Sequence, residues 1–484
     1  MQDQSKPKRV VIIGGGITGL AAAYKLLELQ KQSGQQLDLT ILESSPRLGG
    51  ALKTEERDGF LLEGGADSFI SEKPQAINLA KRLGIESRLI ETNQQHRRSF
   101  IVRKGKLLPV PEGFQLMAPS RLWPFVTTNI FSWRGKARMA LDLFIQRRHN
   151  LNGGDDESLA NFVRRRLGNE AFERMAQPMI GGIYTADPER LSLRATLPRF
   201  LEMEREHRSV IRAMWRARRQ SKQTASGVSG ARYSLFLSFD RGLQVLVNEL
   251  AAHVSNFTRL DCKVQSLRRE DNEWIIELSD KSRIKADAVC LAVPAYVAAS
   301  LLKNADAELA ALLNQIPFAS TATINLGFRR ADVPHPLDGF GFVVPFIENK
   351  SILACTFSSM KFPNRALVDH VLLRAFVGGA LQPELFELAE PELILRARKD
   401  LKDLLGITAP PLITKVEKWK NSMPQYYVGH LDLVSQIRKL VASQPGLELA
   451  GNSYDGTGIP DCIRSGEAAA EKLVLQAASL QMTR

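Results

Sequence analysis

Cysteine is scarce in this sequence, and its few copies lie far apart. The 484 residues contain four, Cys262, Cys290, Cys355 and Cys462, with no C-x-x-C pair and no spacing typical of metal ligands. We therefore expect a reducing compartment, no disulfide framework and no metal site. Uninterrupted apolar runs of about 18 residues are also missing, so no membrane-spanning helix is predicted.

Motifs for nucleic-acid binding and for nucleophilic catalysis are missing too. The net charge is +13, but no DNA- or RNA-binding motif accompanies it, which argues against nucleic acid as a partner. Anionic lipid and a polyanionic small substrate stay open as partners of this charge. No Ser-His-Asp arrangement is present, and we interpret His207, His253 and His430 as isolated surface or capping residues. Neither a general base nor another catalytic side chain is assigned.

A cleavable signal peptide is not predicted, although the N-terminus resembles one. The basic residues KPKR precede an apolar run that ends in Ala21-Ala22-Ala23. Cleavage there would remove a strand and a glycine turn whose spacing explains the same residues better. We expect a cytoplasmic protein that at most contacts the inner face of the cell membrane peripherally.

The strongest positive signal is the segment 8–50. A β-branched strand over Arg9–Ile13 leads into glycines with G-x-G-x-x-G spacing and then into a helical run over Leu20–Leu29. The three glycines are Gly14, Gly16 and Gly19. The first permits the tight turn, the second lets a pyrophosphate approach the backbone, and the third packs helix on strand. A second strand over Leu37–Leu42 ends at Glu43, a carboxylate placed to accept hydrogen bonds from an adenosine ribose.

Residues just after this acid favour FAD over NAD. Arg47 and the pair Gly49-Gly50 add a cation and a second glycine turn beside the same phosphates. Arg47 taken alone reads equally well as a solvated surface arginine, but its place between the ribose acid and the glycine turn favours the phosphate role. This arrangement resembles the FAD-binding fold shared by amine oxidases, phytoene desaturases and porphyrinogen oxidases.

Further along, an aromatic and basic stretch runs from Arg121 to Arg148. Its large aromatic residues include Trp123, Phe125, Phe131 and Trp133. The mixture suits a membrane interface, and it equally suits a helical cap whose aromatic residues form a core. Both interpretations stay open. Later elements include a strand over Thr258–Val264, a helix around Ala307–Leu313 and a helix over Gly429–Val441. The segment Val416–Trp419 leads into the run before this last helix.

Over nearly its whole length the chain resembles the protoporphyrinogen/coproporphyrinogen oxidase family. The narrowest matches are the segments EMEREH, MPQYYVGH and AGNSYDGTGIPDCIRSG. The resemblance implies an α/β fold: an FAD-binding Rossmann-like domain of the p-hydroxybenzoate hydroxylase type with an inserted α+β substrate domain and a helical cap or membrane-associating region. The expected ranges are 1–85, 228–295 and 428–484 for the FAD domain, 86–227 for the cap, and 296–427 for the substrate domain.

The same resemblance implies a set of cofactor and substrate contacts. Non-covalent FAD is expected at Gly14, Gly15, Gly16, Ile17, Thr18, Gly19, Glu43, Ser44, Arg47, Gly65, Ala66, Asp67, Ser68, Val264, Trp419, Asn452, Thr457, Gly458 and Ile459. Ile183 would face the porphyrinogen. Implied partners are a porphyrinogen and oxygen; a contact with the next enzyme of heme biosynthesis stays open.

The implied reaction is the six-electron oxidation of a porphyrinogen, with hydrogen peroxide as the second product. Some members hold a propionate with an arginine in the loop that here reads Ala66-Asp67-Ser68. The Asp-Ser form resembles bacterial members that act on coproporphyrinogen III. Arg190, Arg194 and Arg199 near Ile183 predict a cationic mouth, which favours this tetrapropionate over protoporphyrinogen IX.

Two remote alternatives belong to other classes. A flavin amine oxidase is expected to place a lysine near the flavin, and the strand Thr321–Phe328 contains none. A non-enzymatic binding relative would lack the C-terminal flavin motif, which is present here.

Overall fold

In the computed structural model, the N-terminal apolar run forms the central strand of a parallel sheet. The structure describes residues 7–34, 36–115, 117–148, 156–221 and 236–482. The strands are β1 Lys8–Ile13, β2 Leu37–Leu42, β3 Thr54–Arg57, β4 Phe60–Glu63, β5 Phe69–Ile70, β6 Leu89–Glu91, β7 Phe100–Arg103, β8 Lys106–Pro109, β9 Phe114–Gln115, β10 Ala118–Pro119, β11 Phe236–Phe239, β12 Thr258–Arg259, β13 Val264–Glu270, β14 Glu273–Leu278, β15 Arg283–Ala286, β16 Ala288–Leu291, β17 Phe318–Arg329, β18 Gly341–Val343, β19 Ile352–Phe357, β20 His370–Gly378, β21 Ile413–Pro424 and β22 Leu447–Leu449.

The helices follow the same chain order. They are α1 Ile17–Ser33, α2 Gln75–Arg82, α3 Leu122–Thr127, α4 Trp133–Ala140, α5 Leu159–Leu167, α6 Asn169–Ala171, α7 Gln177–Tyr184, α8 Leu193–Thr196, α9 Pro198–His207, α10 Val210–Ser221, α11 Gln244–Val254, α12 Ala295–Leu302, α13 Ala307–Leu313, α14 Ser358–Lys361, α15 Pro383–Glu387, α16 Glu390–Leu405, α17 His430–Ala442 and α18 Ile459–Met482. A π-helical turn, Phe172–Ala176, joins α6 to α7. None of the helices in these ranges is long and apolar enough to cross a bilayer.

The parallel sheet has the strand order β12-β2-β1-β16-β22. Its strands are covered on both faces, which explains why β1 is apolar at every position from Val10 to Ile13. One face packs on α1, α11 and α18, and the other on α12, α13, α17 and the meander β13–β15. Because the strands are parallel, the loops that follow β1, β2 and β22 meet at one edge, where ligands of such sheets bind.

A second, seven-stranded sheet lies beyond this edge, in the order β21-β17-β20-β19-β18-β7-β8. Strand β17 pairs with β20 and β21 in long antiparallel ladders. One face of the sheet packs on α16 through an aliphatic and aromatic core. Helices α3 to α10 form a cap with its own core, which includes Ile101 of β7 and Tyr426 after β21.

The expected division into an FAD domain, a cap and a substrate domain stays a prediction. Strands β7 and β8 lie within the range 86–227 that was expected to form the cap, yet they complete the seven-stranded sheet. Strand β6, in the same range, pairs with β11. The expected boundary at residues 227 and 228 lies outside the described residues.

Candidate active site

The turn after β1 is built from backbone contacts that only glycine permits. Gly14 has φ +108°, and a Cβ placed on it would lie 2.4 Å from the carbonyl oxygen of Ala292. A Cβ on Gly19 would lie 1.9 Å from the carbonyl oxygen of Gly14. Gly16 differs, because a Cβ there would meet no described atom within 4 Å. Gly16 is also the N-cap of α1, so open space lies beside the unpaired N–H groups of the first helical turn.

Glu43 stands beside this turn, as its spacing predicts. Its carboxylate accepts hydrogen bonds from the N–H of Gly15 at 2.6 Å and of Ser45 at 2.8 Å. Ser44 is exposed next to it. Among the helix residues, Ile17 and Thr18 are buried, so the backbone of α1 faces the site more than these two side chains do.

Arg47 braces the second glycine turn. Its guanidinium donates to the carbonyl oxygens of Leu48, Leu52 and Gly50. The N–H of Gly49 in turn donates to the carbonyl of Gly15 at 2.8 Å, which joins the two glycine turns. The guanidinium therefore stabilises the loop that contains Arg47, and its contact with a phosphate stays a prediction.

Residues 64–68, which we name the flavin-side loop, are attached to the seven-stranded sheet through carbonyl groups. Thr323 Oγ1 donates to the Gly64 carbonyl at 2.6 Å, and Trp419 Nε1 donates to the same oxygen at 2.9 Å. Arg374 Nη2 donates to the Gly65 carbonyl. Trp419 thus lies against the loop, where it was expected to pack near a flavin.

Asp67 in this loop is partly buried and forms an ion cluster with two buried cations, which sequence reasoning missed. Lys361 Nζ lies 3.0 and 3.1 Å from its two carboxylate oxygens, and Arg374 Nη1 lies 3.8 Å from one of them. Burial by itself would raise the pKa of Asp67, but the two cations hold that pKa well below its usual range. Lys361 and Arg374 are 294 and 307 positions away in the chain, so no local pattern could reveal the contact.

Glu63, directly before the loop, is buried with 4% of its surface exposed. Its carboxylate accepts from Thr54 Oγ1 at 2.7 Å and from the N–H of Leu243 at 3.0 Å. Burial raises the pKa of Glu63 to about 7, against the opposing effect of these hydrogen bonds.

The C-terminal glycine-rich loop is held by the MPQYYVGH segment. Tyr426 Oη donates to the carbonyl of Asn452 at 2.6 Å and accepts from the N–H of Gly456 at 2.8 Å. His430 stacks on Tyr426 with ring centroids 3.9 Å apart and is 4% exposed. The interpretation of His430 as an isolated surface or capping residue was wrong, because its ring is buried in this contact.

The remaining expected site residues are distributed as follows. Asn452 Nδ2 donates to the carbonyl of Ser422 at 3.3 Å. Thr457 and Gly458 lead into α18, whose first residue is the buried Ile459. Val264 is 7% exposed and packs in the core beside the parallel sheet. Its predicted backbone contact with an adenine therefore stays a prediction.

Ile183 lies at the end of α7 with 39% of its surface exposed. Thr185 ends the helix with φ +47°, and its carbonyl accepts from the N–H of Ala380 at 2.8 Å, just beyond β20. The end of α7 is thereby fixed against the seven-stranded sheet.

The three arginines expected to form a cationic mouth are engaged in contacts within the protein. Arg194 pairs with Asp432 at 2.7 Å. Arg190 stacks on the ring of Tyr427 at 4.0 Å, and Arg199 lies 5.0 Å from the ring of Phe200. Their charge still contributes to the local potential, but these contacts give them structural roles.

The geometry fits a flavin dinucleotide. Open space lies at the N-terminus of α1, a carboxylate stands beside it, and two further loops meet at the same edge of the sheet. Arg374 is 3% exposed, and within the described chain its Nε and Nη1 have no hydrogen-bond partner. Its Nη1 lies 3.8 Å from the Asp67 carboxylate, so the charge of Arg374 belongs to the ion cluster at this loop. Fold and site together define a dinucleotide-binding oxidoreductase.

Comparison with known proteins identifies the family. The family model of flavin containing amine oxidoreductases matches residues 17–474. The chain belongs to this family, and its cofactor is a flavin.

Individual relatives cover almost the whole chain. The coproporphyrinogen III oxidase of Bacillus subtilis (strain 168) is 37% identical over 96% of this chain and 97% of its own. The chloroplastic protoporphyrinogen oxidase of Nicotiana tabacum is 29% identical over 95% of this chain and 84% of its own. A crystal structure from Exiguobacterium sp. 255-15, provisionally named protoporphyrinogen oxidase, has a TM-score of 0.84 at 31% identity and covers 97% of this chain and 99% of that one.

Proposed function

We propose that this protein is an FAD-dependent oxidase of heme biosynthesis that converts coproporphyrinogen III to coproporphyrin III. The observation that carries the proposal is the 37% identity with a coproporphyrinogen III oxidase over nearly the full length of both chains. The flavin-side loop supports it, because it retains the Asp67-Ser68 pair. Protoporphyrinogen IX is the alternative substrate, supported by the likeness to the enzyme of Nicotiana tabacum.

The cofactor is proposed to lie across the edge of the parallel sheet. The glycine turn Gly14–Gly19 with Glu43 would hold its adenosine and pyrophosphate. The flavin-side loop and Trp419 would hold the ring, and Asn452 with the segment 457–459 would hold the chain between them. Bound there, FAD would supply hydride chemistry. In each cycle the porphyrinogen would lose a hydride from a bridging carbon and one further proton, and the two electrons with two protons would leave on oxygen as hydrogen peroxide. Three such cycles account for six electrons, three molecules of oxygen and three of hydrogen peroxide.

The protein's own contribution is orientation and exclusion of water. The seven-stranded sheet fixes the flavin-side loop through Thr323, Trp419 and Arg374. Ile183 presents an apolar side chain from the end of α7, which suits contact with a macrocycle. No nucleophile is required, and among the described residues no cluster of three His, Cys, Asp or Glu is placed to hold a metal ion.

Binding of FAD is proposed to be non-covalent. Cys462, the cysteine nearest to the C-terminal loop, is 8% exposed, and burial raises the pKa of its thiol, so the reactive thiolate is disfavoured. Denaturation with acid should therefore release the yellow chromophore into the supernatant.

A peripheral contact with anionic membrane is proposed for the cap. Trp123, Trp133 and Phe144 are 76%, 72% and 80% exposed, and basic residues accompany them in the same stretch. In contrast, Phe125 and Phe131 are buried in the cap core. The core interpretation thus holds for Phe125 and Phe131, and the membrane interface is proposed for the exposed residues.

The test of the substrate is a side-by-side measurement of kcat/KM for coproporphyrinogen III and protoporphyrinogen IX, with oxygen uptake recorded in parallel. We expect the tetrapropionate to be the better substrate and three oxygen molecules to be consumed for each porphyrin formed. A clear preference for protoporphyrinogen IX would overturn the choice of substrate. Oxidation of neither would overturn the proposed function.

A further inference from the structure

The attachment of the flavin-side loop to the seven-stranded sheet determines which way its peptide groups point. Three successive carbonyls are occupied on the sheet side. Asn325 Nδ2 donates to the Glu63 carbonyl at 3.1 Å, Thr323 and Trp419 donate to that of Gly64, and Arg374 donates to that of Gly65.

In a planar trans peptide the N–H points opposite to the preceding carbonyl. The N–H groups of Gly65 and Ala66 therefore point away from the sheet, and no acceptor for either is found within the described chain. Both residues are only partly buried. The loop thus offers two aligned donors on the side where the flavin ring is proposed to lie.

The charges beneath the loop do not cancel. We name Asp67, Lys361 and Arg374 the loop cluster; it contains one carboxylate and two cations and has a net charge of +1. Lys361 Nζ also donates to Ser68 Oγ at 3.0 Å, which ties the cation to the loop itself.

The surroundings of the loop cluster leave this positive charge in place. Arg365 is buried nearby, but it donates to the carbonyls of Phe239 and Asp240. Glu63 is the other carboxylate that interacts with Arg374, and when ionised it offsets Arg365. A buried cation with orphaned donors is costly unless negative charge or an acceptor lies close by.

We propose that Arg374 and Lys361 are positioning residues that tune the redox potential of the bound flavin. They orient the N–H groups of Gly65 and Ala66 toward the ring and stabilise the negative charge that the ring gains on reduction. The loop cluster therefore raises the midpoint potential and favours electron transfer from substrate. This inference rests on the proposed binding of FAD at this loop.

The test measures the flavin midpoint potential by equilibration with reference dyes in the holoprotein. Lys361→Met and Arg374→Met each remove one positive charge and should lower the potential. We expect at least a tenfold change in the equilibrium constant of reduction, which is about 30 mV for a two-electron couple. Asp67→Asn removes the negative charge of the same cluster and should raise the potential.

The opposite signs separate electrostatic tuning from simple loosening of the loop. A purely structural role would make all three substitutions shift the potential in one direction, and that result would overturn the proposal. Lys418→Met is the matched control. It also removes a cation, but Lys418 lies on the face of β21 opposite to Trp419 and the loop. Its potential should equal that of the wild type.

Two further outcomes are decisive. Arg374 is buried in the sheet, so Arg374→Met is more prone to misfold than Lys361→Met. Lys361 lies at the end of the short helix α14, and its variant tests the proposal even if Arg374→Met does not fold. If the wild type binds FAD and oxidises coproporphyrinogen III, an unchanged midpoint potential in Lys361→Met contradicts this inference and leaves the proposed function intact. A wild-type protein that binds no FAD would contradict the proposed function as well.

Discussion

Glu63 is a carboxyl group whose protonation changes within the physiological pH range. It is 4% exposed, and its pKa is raised from 4.5 to about 7 chiefly by burial. The folded protein therefore binds the proton more tightly than the unfolded chain. Stability from this proton is fully present below pH 4.5 and is lost as the pH rises through about 7.

We accordingly expect Glu63→Gln to remove this pH dependence. Between pH 5 and 8 the wild type should lose up to about 3 kcal/mol relative to the variant, since one pKa unit corresponds to about 1.4 kcal/mol. Melting temperatures of both holoproteins across this range provide the measurement. Glu56→Gln, at an exposed carboxylate of β3, is the control. Parallel curves for the wild type and Glu63→Gln would contradict the raised pKa.

Among elements, the segment between β21 and α17 joins more parts of the protein than its length suggests. The carbonyl of Tyr426 accepts from the N–H of Ser192 at 2.8 Å in the cap, while its hydroxyl holds the loop after β22. The N–H of Gly429 donates to Asp156 at 3.1 Å. The cap and the C-terminal glycine-rich loop are therefore positioned by the same few residues.

Tyr426→Phe should weaken FAD binding. It leaves the carbonyl of Asn452 and the N–H of Gly456 without their partner, a loss of about 1–3 kcal/mol. If the loop bears on the cofactor as proposed, the dissociation constant of FAD should rise by about five- to a hundredfold, as titration of the apoprotein would report. Tyr427→Phe is the matched control, because that ring stacks under Arg190. Equal affinities of the two variants for FAD would show that the C-terminal glycine-rich loop does not contribute to FAD binding.

Elements with a strong local signal were predictable, and those set by distant partners were not. The helix Ala307–Leu313 was predicted where the structure has it. The predicted strand Thr258–Val264 is interrupted, because Asp261 adopts φ +51° between β12 and β13. Strand β21 extends from Ile413 to Pro424 and was not predicted as a strand, since its polar end gains pairing from β17.

The same distinction applies to the site. The glycine turn and Glu43 are encoded within about 35 consecutive residues, and the structure brings them together as their spacing predicts. Lys361 and Arg374 come from a distant part of the chain. Lys361 is a single cation at the end of the short helix α14, and Arg374 is a single cation in the apolar strand β20. Only the fold brings them to Asp67, so sequence periodicity carries no signal for that contact.

At the scale of the whole molecule, the cap connects the proposed membrane face to the proposed site. Its core contains Ile101 of β7 and Tyr426, and α7, which carries Ile183, belongs to the same unit. The exposed apolar residues Leu122, Trp123, Trp133, Leu141 and Phe144, which we name the apolar patch, lie on α3, on α4 and in the turn that follows α4. Large apolar side chains left exposed in one stretch of the chain make this a candidate interaction surface.

The patch predicts that the protein binds anionic vesicles weakly and reversibly. Flotation with liposomes that contain phosphatidylserine should recover the protein at low salt, and recovery should fall at high salt because the basic residues are then screened. Replacing Trp123 and Trp133 by Ser should reduce recovery at low salt, since two interfacial aromatic anchors are lost. The matched control replaces Leu395 by Ser, because this residue is 60% exposed on α16 beneath the seven-stranded sheet. Recovery that is insensitive to the tryptophan substitutions would assign the binding to charge alone, and recovery that is insensitive to salt would require an apolar anchor larger than this patch.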